Sequence, residues 1–320
     1  MKIRFAVLLL AFAAALPAAH AQTETWHART VRVVETFPPG GFTDVVARML
    51  SAALTEELGQ QFIVDNRPGA GGTIGIENVV KSKPDGYTTI VMLSSFATAA
   101  AIYKLPYDPI KGVAPVTMIG EGPFVLVVHP SVQAKSIREL IDLVHAKPGT
   151  LNFGSAGIGT DLQLAIELLE QMAGIKLTHV PYKGIAPAFN DLVAGRIHLM
   201  LSTPKSASVN IQSGKLRALA VTTARRSPLM ADLPAVGELV PGYAVRVWFG
   251  MGTTAGTPGA VIARLNQAIA KALQRKDFQE RLRGGGVEPM HTPPQAFAQV
   301  ISDDYANWSN VIKAGNITAN

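Results

Sequence analysis

Apolar positions along this chain alternate between short continuous runs and stretches spaced three to four residues apart, the pattern of strands followed by helices. Val31 to Thr36 reads as a strand and Asp44 to Leu58 as a helix, with Val45, Met49 and Ala53 on its apolar face and Gly59 as its C-cap. A strand at Phe62 to Val64, a glycine loop, a helix, a Pro-Asp-Gly-Tyr turn and a strand at Thr88 to Leu93 come next. Phe124 to Pro130 is an apolar run of the kind a buried strand shows. Ser136 to Gly149 carries a Ser N-cap, Glu139 three residues later and a Pro-Gly stop, which together make a capping box. A strand at Leu151 to Phe153 leads into a second helix entered, like the first, at Thr-Asp. Strands at 176–182, 197–202 and 216–223, a helix ended by Gly195, and two amphipathic helices starting at Thr257 and Pro293 complete the pattern. Repeated strand–helix units with apolar strands predict an α/β protein with largely parallel sheets.

Composition changes this picture in three ways. The first residues pair a basic start (Lys2, Arg4) with an apolar stretch from Phe5 to Ala15 and a small-x-small site at Ala19-His20-Ala21, so residues 1–21 read as a secretory signal peptide cut after about Ala21. The chain has no Cys, hence no disulfide framework, thiol nucleophile, cysteine-ligated zinc or lipid-anchoring cysteine. Export without an anchor points to the periplasm. The formal charge of +6 falls to +4 once Lys2 and Arg4 are removed, too little for a nucleic-acid surface, and no basic run is studded with aromatic residues. The 299 residues that follow the signal exceed what one core usually holds, so two lobes are expected.

The candidate chemistry lies in two loops. "TFPPGGFTDVVARML" (36–50) and "FGSAGIGTDLQLA" (153–165) each run from strand through glycines into a helix at Thr-Asp, with Asp44 and Asp161 117 residues apart. A helix N-terminus offers unsatisfied N–H groups and a partial positive charge, and so seats anions. Gly40, Gly41, Gly157 and Gly159 let the backbone approach a ligand. Pro38 and Pro39 stiffen the first loop, while Thr43, Ser155 and Thr160 add hydroxyls. Asp44 and Asp161 cap and hold the loops. Hydrogen bonds to a charged group contribute roughly 1.5–3 kcal/mol each, so four or five, less association costs, reach micromolar binding. Either loop alone could be no more than a tight turn of an α/β fold. Together they predict one carboxylate held between two lobes by Pro39, Gly40, Gly41, Phe42, Thr43, Asp44, Ser155, Ala156, Gly157, Gly159, Thr160 and Asp161, with Ser94, Ser95 and Phe96 beside it. Phe42 and Phe96 are candidates to stack on a ring, or to be packing residues.

Enzyme chemistry finds little support. Gly69, Gly71, Gly72 and Gly75 fit no dinucleotide register, and neither a P-loop nor a His-Glu-x-x-His motif occurs. Gly-x-Ser-x-Gly fails because residue 153 is Phe, and no general base is evident beside a nucleophile. The histidines show no metal-ligand spacing, and His179 reads as a strand or cleft-rim residue. Lys183 and Arg48 could pair with a ligand, although solvated roles are commoner for such residues. No cofactor and no metal are expected.

"PPGGFTDVVARML", "NRPGAGGTIG", "PDGYT", "KLPYDP", "HVPYKGIAPA", "GKLRALAVTT" and Trp248 followed by Gly256-Thr257-Pro258 occur in one order over nearly all of the chain beyond the signal. In these motifs the chain resembles the solute-binding receptors of tripartite tricarboxylate transporters, the Bug or TctC-like family. The resemblance implies a two-lobed, hinged periplasmic solute-binding protein, type II-like, each lobe a mostly parallel sheet flanked by helices. Lobe 1 would be 22–126 plus 246–320 and lobe 2 127–245, with crossings near Phe124 to His129 and Tyr243 to Trp248. It implies a monomer that pinches a small carboxylate through Pro39 to Asp44 and Ser155 to Asp161, then docks on a membrane permease. Departures are Gln163 where His is usual, His198 and Ser202 where Asp often stands, Ala235 for Thr, and Gly112 for an acidic residue. Lacking an acidic partner at Ser202, the cleft favours di-, tri- or aromatic carboxylates over amino acids. A ligand-sensing protein for a membrane signalling partner, or a periplasmic hydrolase or lyase, is the alternative.

Overall fold

The computed structural model describes Trp26 and residues 29–319; the signal peptide expected at 1–21 lies outside them. Among the described residues the strands, in chain order, are β1 (Val31–Glu35), β2 (Phe62–Asn66), β3 (Thr88–Leu93), β4 (Val113–Gly122), β5 (Val125–Val128), β6 (Asn152–Ser155), β7 (Thr178–Pro181), β8 (Leu199–Ser202), β9 (Arg217–Val221), β10 (Val247–Thr254) and β11 (Glu288–Pro289). They form two sheets, β11-β4-β10-β3-β1-β2 and β7-β6-β8-β5-β9, flanked by helices. The chain passes from the first sheet to the second between Gly122 and Val125, and returns between Val221 and Val247.

The two-lobed α/β architecture is the one expected, but the sheets are mixed rather than mostly parallel. β1 pairs in parallel with β2 and β3, and β6 with β7 and β8. β10 runs antiparallel to β3 and β4, and β5 antiparallel to β8 and β9. The exceptions are β5 and β10, the two strands that follow a crossing, and the two-residue edge strand β11, which is antiparallel to β4. A strand that enters a sheet from the other half starts at the end where the resident strands finish, so its polarity is reversed. The sequence pattern omitted β4 and β10, because both faces of β10 are buried and its glycines break any alternation. Those glycines admit neighbours: a Cβ at Gly250 would fall 2.2 Å from the Phe297 ring, and one at Gly252 would fall 2.7 Å from Val113.

Local signals mostly decide the helices. Ser136 accepts the Glu139 N–H (3.2 Å), while Glu139 reaches back to the Lys135 N–H (2.8 Å), a capping box displaced by one residue at its return arm. Helix Phe42–Leu58 buries Val46, Ala47, Met49, Leu50, Ala53 and Leu54. Val45, expected on that face, is 43% exposed. Gly59 closes this helix in the left-handed conformation (φ 64°).

The crossing segments are tied together. The Thr222 hydroxyl accepts the Phe124 N–H (3.0 Å) and donates to the Val245 carbonyl (2.9 Å), while the backbones of Thr222 and Val245 bond at 2.8 Å. Thr222 is fully buried. Arg246 pairs with Glu121 at 2.9 Å just outside this knot. Bending here can reorient the halves without breaking either sheet.

Candidate functional site

Both glycine loops leave the ends of strands that point toward the junction between the sheets, as ligand loops of open α/β folds do. Between them lies a cavity of about 380 Å³, within the range of small-molecule sites. Pro38, Pro39, Gly40, Gly41, Phe42 and Thr43 form one side, and Ala156, Thr160, Asp161 and Leu162 the other. Phe37, Leu93, Phe124, Val247 and Phe249 close it with apolar surface, and Phe42 meets Phe249 edge-on at 5.5 Å between ring centroids. Lys183 to Pro187, Thr203 and Ser206 complete the lining.

The first loop is braced from within. Asp44 accepts the Gly40 N–H (3.1 Å), receives Arg48 through both carboxylate oxygens (2.9 Å each) and accepts from Asn66 (3.0 Å), which itself donates to the Phe37 carbonyl. Arg48 and these bonds lower the Asp44 pKa against the opposing effect of burial, so it is ionised and spent on the loop. Gly40 is left-handed (φ 93°), a conformation that favours glycine. Helix Phe42–Leu58 starts at N-cap Gly41 with no side-chain cap, and the Phe42 and Thr43 amides, which open its first turn, have no partner among the described residues. This is an uncapped, positively polarised terminus in the cavity wall.

The second loop has the same look in sequence and a different construction. Here Thr160 is the N-cap and Asp161 the first helical residue, whereas Thr43-Asp44 sits two residues deeper in its helix. Asp161 Oδ1 accepts the Leu162 N–H (2.9 Å) and Oδ2 accepts the Ser94 hydroxyl (2.5 Å), which reaches it from the other half of the molecule. Gln163, the residue standing where the resemblance led one to expect His, accepts the Gly159 N–H (2.8 Å). Tyr103 donates to the Ile158 carbonyl (3.0 Å), also across the junction. A Cβ on Gly159 would fall 2.6 Å from Ile102, so glycine there permits the halves to touch.

Of the residues expected to hold a ligand, Pro39, Gly40, Gly41, Phe42, Thr43, Ala156, Thr160 and Asp161 meet at the cavity. Asp44, Ser94, Gly157 and Gly159 stand behind its wall as braces. Ser155 is fully buried; its hydroxyl accepts the Gly157 N–H (3.2 Å) and lies 2.7 Å from His179 Nε2. That is a nucleophile–base pair which the sequence reading did not find. The hydroxyl is not on the cavity wall, and His179, stacked on Phe153 and pushed by burial down to about 4, stays neutral. Ser95 and Phe96 border a separate small void with Thr36 and Gly71, Phe96 packing in the core beside Val34 and Ile76, and Ser202 is buried and donates to the Thr203 carbonyl. The structure does not bring these three to the cavity.

Missed by the sequence reading were Phe37, Leu93, Phe124, Val247, Phe249 and the segment Gly184 to Pro187. A signal did exist for the last: Tyr182-Lys183-Gly184 follows β7 and precedes a helix, as the other two loops follow β1 and β6. Lys183 is exposed at the cavity edge and has no ion-pair partner among the described residues.

The sequence profile of a family described as "Tripartite tricarboxylate transporter family receptor" matches residues 46–317. The chain is 35% identical over 312 residues to BugT of Bordetella pertussis, covering 96% of each protein. A solved structure of Rpa4515 from R. palustris with adipate shares 36% identity, with a TM-score of 0.85, over 92% of this chain and 99% of the other. MatC from Rhodopseudomonas palustris with bound malate shares 32% identity, with a TM-score of 0.81, over 89% of this chain and 99% of its own.

Proposed function

The chain belongs to the tripartite tricarboxylate transporter receptor family, and from that membership we propose that it captures a small di-, tri- or aromatic carboxylate between lobe 1 (22–124 plus 246–320) and lobe 2 (125–245). Its family is one of solute-binding receptors, and relatives have been solved with adipate and with malate. One observation carries the reading: the uncapped N-terminus of helix Phe42–Leu58 opens into a cavity whose walls are otherwise mostly apolar. The carboxylate takes the amides at Gly41 to Thr43, where the macrodipole favours negative charge. Ala156 and Thr160 approach it from lobe 2, and Phe42, Phe249 and Phe124 enclose the carbon skeleton. Lys183 meets whatever charged group reaches the cavity edge.

The receptor works as an exported monomer in the periplasm, its signal removed after about Ala21. It closes about the knot at Thr222 and presents the closed form to membrane permease subunits. No step of this function needs catalysis. A thermal-shift screen of mono-, di- and tricarboxylates and aromatic acids tests it, because a ligand that binds only the native state raises the melting temperature. Stabilisation by at least one carboxylate, lost in Gly41→Val, is expected. No response to any acid in the panel refutes the reading.

A further inference from the structure

The two loops differ in a way that receptor function by itself does not require. Asp44 has Arg48. Asp161, 3% exposed and on the cavity wall, has a hydroxyl and two amides but no cation: Ser94, Leu162 and its own N–H. Ser94 belongs to the other half, so contact between the halves is what seals Asp161 from water. The elements packed against its helix bring no cation near it. Strands β6 and β8 and helix Ser95–Ile102 contain no titratable residue. The C-terminal helix Pro294–Ala314 supplies Asp304, whose charge disfavours ionisation of Asp161. Asp304 is in turn held by the Trp248 indole and eased by Arg246. Lys183 lies on the same cavity, at its exposed edge.

A carboxylate seated at Gly41 to Thr43 therefore faces a second carboxyl across a small, largely apolar space. Two negative charges with no cation between them are costly in such a space, and one of them neutralises. The ligand's charge is held by helix amides, while Asp161 already occupies the Leu162 amide and stands beside Asp304. We propose that Asp161 takes up one proton from solvent as the lobes close on a carboxylate, so that capture is proton-coupled and an ammonium group is not accepted at that point. The inference rests on the carboxylate-receptor reading. Once neutral, the Asp161 O–H can donate to the incoming carboxylate while its other oxygen keeps an acceptor role. Burial, opposed by the hydrogen bonds and helped by the charge on Asp304, already holds Asp161 up at about 6, and a ligand's charge adds to that effect.

Calorimetric titration with adipate, malate and benzoate, in two buffers of different ionisation enthalpy, reads the proton directly. With the exposed group near its ordinary value of about 3.9, binding at pH 6 takes up about half a proton or more per molecule, and at pH 8 far less. Asp161→Asn abolishes the uptake. The ratio of wild-type to D161N affinity rises about tenfold from pH 7 to pH 5, and taking the ratio cancels titration of the probe itself. Binding to the wild type without proton uptake overturns this inference and leaves the receptor reading standing, as does unchanged uptake in D161N. Tighter binding of aspartate than of malate, reversed in D161N, also overturns it, because an ionised Asp161 would then be holding an ammonium. Failure of these three and of every other acid in the thermal-shift panel to bind removes both readings. The wild-type measurement stands even if D161N does not fold.

Discussion

Glu35→Gln tests the electrostatics beneath the first loop. Glu35 ends β1 and is fully buried. One of its oxygens accepts the Thr36 N–H (3.0 Å) and the other the Phe37 N–H (3.2 Å), so it anchors the chain where the loop departs. Burial pushes its pKa up to about 8 from 4.5; the two amides oppose the rise, and the charge on Asp44 adds to it. A group whose native pKa is raised contributes stability that is complete below its unfolded value and lost as pH rises through its native value. The window here runs from about 4.5 to about 8. Across it the protein loses on the order of 5 kcal/mol, of which about 3 kcal/mol is already gone at pH 7. Gln carries no charge at any pH but keeps only one acceptor oxygen, which costs about 1 kcal/mol. Urea unfolding at pH 5, 7 and 9 should show E35Q slightly less stable than wild type at pH 5 and more stable by several kcal/mol at pH 9. Parallel stability curves for the two proteins over that range would refute the account of Glu35 as a carboxyl buried without a counter-charge.

Other substitutions separate bracing from binding. At Gly41 (φ −75°) an added Cβ meets only the Pro38 carbonyl at 4.0 Å. Gly41→Val should therefore melt within about 1 kcal/mol of wild type yet lose the thermal shift given by adipate or any other carboxylate that binds; a retained shift would place the ligand elsewhere. Ser155→Ala removes the bonds to His179 and the Gly157 amide inside the second loop, costing about 1–2 kcal/mol in chemical denaturation with a modest loss of affinity, and an unchanged midpoint would show that this buried pair holds nothing. Thr222→Val keeps the shape of the hinge knot but strands the Phe124 amide and the Val245 carbonyl. A loss of about 1–3 kcal/mol is expected, and equal stability would mean that the crossing segments do not depend on that hydroxyl.

How much of this was legible in the sequence depends on how far apart the cooperating residues lie. Helix Ile137–Ala146 could be read from Ser136 and Glu139 because its capping signal spans three residues. The first loop could be read because Pro38, Pro39, Gly40 and Gly41 are adjacent and the helix begins at once. β10 could not, because its glycines are explained by Phe297 and Val113, which lie far from it in the chain. Phe249 and Phe124 reach the cavity for the same reason: they sit on the strand and the segment that cross between the halves, and the crossings depend on sheet order rather than on any local pattern.

The two Thr-Asp steps carry this argument into the site itself. Written as sequence they are the same dipeptide at the same kind of junction, and equal roles follow naturally. The structure gives Asp44 a cation one helical turn away, and Arg48 is visible in the sequence at that spacing. It gives Asp161 a hydroxyl from 67 residues earlier and an acid from near the C-terminus. Local sequence sets the backbone of both loops, and distant residues decide the charge each carboxyl can carry. The first loop is thereby left with a free helix terminus for an anion, because its own acid is neutralised from the side. The second loop spends its helix terminus on its own acid and can meet an anion comfortably only after that acid has been neutralised by a proton. Two loops alike in sequence thus make unlike halves of one clamp, a fixed seat and a titratable one.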